Sequence, residues 1–135
     1  MEGVHLVRLT EHRDRRGSLI ALDEEQGLTF TPQRVFFTYD CSTTASRAGH
    51  ASNCDEALIA TMGSVTVDVD NTHETSAYRL DDRRQVLMIQ AGVWLRLRNF
   101  APDTILLVAA SRTYSATRHY RAPQSYLFSA ARRAA

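Results

Sequence analysis

Residues 65–70 read Val-Thr-Val-Asp-Val-Asp, three β-branched apolar residues in strict alternation with polar ones. A period of two sends successive side chains to opposite faces, so this segment is a strand with one buried and one wetted side. The same period recurs along most of the chain, in short runs at 4–9, 18–22, 35–39, 57–62, 76–80, 86–89, 93–97 and 104–110. Turn residues bound them: Asp14-Arg15-Arg16-Gly17 before the second run, Met62-Gly63-Ser64 after the fourth, and Asp70-Asn71 closing a hairpin. Helical periodicity is weak and confined to 125–133. About nine or ten short strands with turns every 8–12 residues predict an all-β antiparallel sandwich or barrel.

With 135 residues, 44% of them hydrophobic, the chain has the size of one domain with its own core. No repeat or low-complexity tract divides it, and Pro32, Pro102 and Pro123 are far apart. A core of this size needs no covalent staple, so Cys41 and Cys54 do not read as a disulfide framework. The 16 basic residues are all arginine and stand against 15 acidic ones, for a net charge of +1. They are scattered from Arg8 to Arg133 among Asp and Glu, which argues against nucleic acid as a partner. No apolar run approaches the ~20 residues that cross a bilayer, and no signal-peptide core follows Glu2, so a soluble cytoplasmic protein is expected.

Two segments carry a more specific pattern. Arg47-Ala48-Gly49-His50-Ala51-Ser52-Asn53-Cys54-Asp55-Glu56, with Gly63 beyond it, resembles the first cupin motif. Gln90-Ala91-Gly92-Val93-Trp94-Leu95, with Asn99, resembles the second. The resemblance implies a single-domain cupin-type antiparallel jelly-roll barrel. Residues 50 and 52 then lie on one side of a strand, where two side chains converge on one ligand. A metal-binding cupin uses three histidines and a glutamate; here His50 and Glu56 are present, but Ser52 and Leu95 occupy the other two positions. Leucine ligates nothing and serine is a poor ligand for transition metals, so no metal site is expected. Cys54 reads as packing.

Across residues 4–128 the order of elements resembles the WxcM-like sugar 3,4-ketoisomerases, which act on dTDP-4-keto-6-deoxyglucose. The matching elements are Asp14-x-Arg16-Gly17-Ser18-Leu19, Arg34-Val35-Phe36-Phe37, the stretch from Asp40 to His50, Leu58 with Gly63-Ser64-Val65-x-Val67, Val93-Trp94, Ala110-Ser111-x-x-Tyr114 and Tyr120-Arg121. The resemblance implies a homodimer that exchanges an N-terminal strand, with a dTDP-linked hexose in each barrel. It implies a reaction that abstracts the C-3 proton, passes through an enediol and returns a proton at C-4, with no metal or redox cofactor. In that family two histidines follow an arginine as His-x-His; here they become His50 and Ser52 after Arg47, and a further histidine after the tryptophan becomes Leu95.

The resemblance therefore makes His50 the proton-transferring base and Ser52 a polar helper. Arg16 and Arg47 are the candidate diphosphate contacts, since guanidinium groups bind phosphate oxygens bidentately. Gly17 allows close backbone approach to a ligand or serves the turn. Trp94 and Tyr114 complete the substrate-binding set, each with core or packing as the alternative. Glu56 either orients His50 or faces outward at a strand start. His5, His12, His73 and His119 lack convergent partners in the sequence and read as exposed polar residues. With no lysine present, no Schiff-base route to a keto sugar is open. The alternative function is a nucleotide-sugar-binding cupin without isomerase activity, acting as an accessory subunit, or epimerisation or dehydration of a related nucleotide sugar.

Overall fold

The computed structural model describes residues 1–127. Its strands in chain order are β1 (Val4–Arg8), β2 (Glu11–Asp14), β3 (Gly17–Ile20), β4 (Arg34–Thr38), β5 (Arg47–Ser52) and β6 (Glu56–Met62). They continue with β7 (Val65–Asp70), β8 (Thr75–Leu80), β9 (Gln85–Ile89), β10 (Trp94–Arg98), β11 (Ile105–Ala110) and β12 (His119–Tyr120). One five-stranded sheet runs β1-β9-β6-β11-β4, and a second runs β12-β5-β10-β7-β8. All pairings are antiparallel. The fold is the all-β, cupin-type jelly roll that the alternation and the two motifs predict.

The alternation places the core. Val65, Val67 and Val69 of β7 are almost fully buried and meet Leu58, Leu87, Leu106 and Val108 of the facing sheet. Each such aliphatic side chain contributes roughly 1.5–3 kcal/mol on leaving water. A smaller cluster on the outer side of the first sheet joins Leu9, Leu28 and Phe30 to Ile59, Val86 and Met88. Gly63 turns the chain between β6 and β7 at φ +76°, and a Cβ there would drive into the Thr104 side chain and backbone. Only glycine satisfies both the left-handed conformation and the close approach.

Two strands are additional to the sequence reading. Glu-His-Arg-Asp of β2 has no apolar period and becomes a strand only by pairing with β3, Glu11 opposite Ile20 and Asp14 opposite Gly17. The two-residue β12 is likewise held by its partner, β5. Residues 125–127 form a helical turn; the rest of the weak helical pattern expected over 125–133 lies outside the described residues.

Candidate active site between the two sheets

An irregularity in β5 builds the site. Ala48 and Gly49 both take positive φ, 62° and 78°. The register with β10 slips there, so that Leu95 faces His50 while Leu97 faces Arg47. A regular strand would send residues 47 and 50 to opposite faces; the extra residue of the bulge turns both to the inside. His50 and Ser52 share a face by simple alternation, as expected. A cavity of about 390 Å³ opens at this end of the barrel, and its lining includes Arg34, Arg47, His50, Ser52, Glu56, Tyr114 and His119 among walls of Phe36, Leu58, Leu95, Leu97 and Val108. Apolar walls with a few convergent polar groups are the usual form of a small-molecule site.

His50 is the best-placed base. Its Nδ1 is buried and has no hydrogen-bond partner. Burial pushes its pKa below the ordinary 6.5, and the neighbouring His119 adds to that push. The imidazole is therefore neutral at pH 7, and it lines the cavity. The two rings lie 4.4 Å apart between centroids, tilted by 55°.

Glu56 and Arg34 form the second polar group. Burial raises the Glu56 carboxyl to about 7, and the positive charge of Arg34 opposes that rise. Arg34 donates from Nη1 to the Thr117 hydroxyl at 3.2 Å, while its Nε is buried with no partner. Its guanidinium carbon also lies 5.1 Å from the Phe36 ring centre and 5.8 Å from that of Tyr114. Ser52 is otherwise engaged: its hydroxyl accepts the Cys54 N–H at 3.2 Å, the local turn bond that serine favours where a strand ends.

Four of the expected residues, Arg47, His50, Ser52 and Tyr114, thus line one cavity. Three do not. Arg16 lies at the tip of the β2–β3 hairpin, where Asp14 engages its guanidinium at 2.6 Å, and Gly17 sits in that same turn. Trp94, expected as a substrate contact or barrel core, does not line this cavity. Leu95 and Leu97 point inward, so the period of two turns Trp94 outward, beside Asp68 and Asp70. His119, expected as an exposed polar residue, is exposed and is also brought to the cavity rim by β12, and Arg34 is a further lining residue that the motifs did not point to.

A two-sheet jelly roll with a polar cavity in its open end defines a cupin-class protein. Within that class the chain belongs to the FdtA family, described as WxcM-like, C-terminal, whose model matches residues 2–131. A curated relative, the TDP-4-oxo-6-deoxy-alpha-D-glucose-3,4-oxoisomerase of Aneurinibacillus thermoaerophilus, is 29% identical over 109 residues, which is 80% of this chain and 78% of that one. The WlaRB TDP-quinovose 3,4-ketoisomerase of Campylobacter jejuni superposes with a TM-score of 0.85 at 30% identity, covering 90% of this chain and 94% of that one. A 3,4-ketoisomerase from Helicobacter canadensis gives 0.83 at 27%, covering 90% and 92%.

Proposed function

We propose that this protein is a 3,4-ketoisomerase of a TDP-linked 4-keto-6-deoxyhexose. The observation that carries the reading is His50, a desolvated imidazole that lines a sugar-sized cavity beside Arg47 and Ser52. The reaction is internally redox-neutral: C-3 is oxidised from carbinol to carbonyl as C-4 is reduced from carbonyl to carbinol. His50 removes the C-3 proton, giving an enediol, and returns a proton to C-4. Arg47 and Arg34 bring positive charge to the cavity for the anionic diphosphate. Ser52 supplies a hydroxyl at its wall, and the exposed Tyr114 ring offers a face to the nucleotide. The apolar walls keep bulk water from the enediol.

A homodimer is part of the same proposal. The outer face of the first sheet exposes Val35, Phe37 and Met62, an apolar surface of the kind that a second copy covers. The exchange of an N-terminal strand is proposed to involve the β2–β3 hairpin, whose two strands pair only with each other in the described sheets. Its tip carries Arg16 and Gly17 away from their own cavity, and their contact with a sugar nucleotide then belongs to the partner subunit's site. No helix among the described residues is long and apolar enough to cross a membrane. Two free thiols and a nucleotide-sugar substrate fit the cytoplasm.

Incubation with TDP-4-keto-6-deoxyglucose, with the product identified by proton NMR, tests the reading. A 3-keto isomer is expected. Saturable TDP binding with the sugar returned unchanged would leave a binding module instead.

A further inference from the structure

The family pattern of two histidines on one strand is broken here at Ser52, yet the cavity still holds two imidazoles. The second comes from another strand. β12 pairs with the end of β5 so that the Cα of His119 stands directly opposite that of Ser52. From there its ring reaches the ring of His50, with centroids 4.4 Å apart, and lines the same cavity. The short strand is fixed by more than its own ladder. Asn53 N–H donates to the Arg118 carbonyl at 3.1 Å, and Asn53 Oδ1 accepts the Arg118 N–H at 2.9 Å. Asn53 Nδ2 donates to the Ala116 carbonyl at 3.2 Å. Three hydrogen bonds from one residue of the β5–β6 turn thus clamp the backbone just before His119.

We propose that His119 is the second proton-transfer group of the isomerase, supplied across the β5–β12 ladder in place of a histidine at position 52. The inference rests on the ketoisomerase reading above.

The chemistry requires two proton movements. On carbon, the proton leaves C-3 and one arrives at C-4. On oxygen, O-4 gains a proton as the C-4 carbonyl becomes an enol, and O-3 loses one as the C-3 carbonyl forms. His50, desolvated and neutral, serves the carbons. His119, more exposed and on the neighbouring strand, serves the oxygens: it donates a proton to O-4 and takes one back from O-3. Both residues end in the protonation state in which they began, and no outside acid, base or oxidant is consumed. The hydroxyl of Ser52 does not fill this part, because an alcohol does not exchange protons near neutral pH as an imidazole does, and its oxygen accepts the Cys54 N–H.

The test uses the full-length protein and two variants, His119→Asn and His119→Gln, each assayed for isomerisation of TDP-4-keto-6-deoxyglucose and for TDP binding. A positioned acid–base group contributes roughly 10²–10⁴-fold, so kcat should fall by at least about 100-fold while KM and the TDP Kd stay within about threefold. Two outcomes overturn the assignment alone: kcat within about threefold of wild type, or a loss confined to KM and TDP affinity, which would make His119 a binding residue. A wild-type protein that leaves the sugar unchanged while binding TDP would overturn the ketoisomerase reading itself.

Discussion

Arg34 and Glu56 stand on either side of Ala110, one on β4 and one on β6, so that a cation and a carboxyl flank the same residue of β11 at the floor of the cavity. The pairing is unequal. Burial raises the Glu56 carboxyl to about 7, and Arg34 only moderates the rise. The native state therefore holds a proton that the unfolded chain, with a carboxyl near 4.5, has already lost. That contribution to stability is fully present below about pH 4.5 and is lost as the pH rises through about 7. Denaturant titrations of wild type and Glu56→Gln should diverge accordingly, the variant gaining up to about 3 kcal/mol relative to wild type at pH 8 and little at pH 4.5. Arg34→Met should push the carboxyl higher still, so that in that background the divergence extends to higher pH and grows larger.

The imidazole pair sets the acid limb of activity. Burial first, and His119 second, hold His50 below the usual 6.5. The acid limb of kcat/KM that reports His50 should lie below that value. Replacing His119 with Asn removes its contribution, and the residual activity should show this limb displaced toward 6.5. A limb that does not move would separate the two rings electrostatically.

Gly63 tests the turn that closes β6 onto β7. An alanine Cβ there meets the Thr104 Cα at 2.7 Å in addition to its hydroxyl, with the backbone already in the left-handed region. Gly63→Ala should cost about 2 kcal/mol or more in chemical denaturation, the sum of strain and overpacking. Gly49→Ala should cost only about 1 kcal/mol, since nothing lies within 4 Å of the added methyl and only the positive φ opposes it.

The outer apolar face should be an interface between copies. Phe37 is exposed opposite Leu107 on β11. In sedimentation experiments the wild type should run as a dimer and Phe37→Glu as a monomer, because a carboxylate buried in such a face has no partner. A wild-type monomer at micromolar concentration would remove the dimer from the account.

Much of this was legible because it followed from period two. The Val-Thr-Val-Asp-Val-Asp run predicts β7 and its buried face, and the same rule puts His50 and Ser52 together. Arg47 joins them only through the bulge at Gly49; a glycine next to a strand histidine permits such a slip without announcing it. Trp94 was placed by the motif and not by alternation, under which an inward Leu95 makes its neighbour face out. His119 was illegible for a physical reason. Two residues have no period, and β12 exists only because β5, distant in sequence, offers its edge. Glu56 was legible as a candidate, but its raised pKa depends on the walls that surround it, which no local pattern encodes.

The proton at C-3 of the sugar is the most direct witness. With TDP-4-keto-6-deoxyglucose in deuterated water, the wild-type protein should remove the C-3 proton signal as the 3-keto isomer forms, and His50→Gln should slow that loss by at least about 100-fold without weakening TDP binding. A C-3 proton that persists beside the wild-type protein under saturating sugar nucleotide, or one that His50→Gln removes as quickly, would contradict the account.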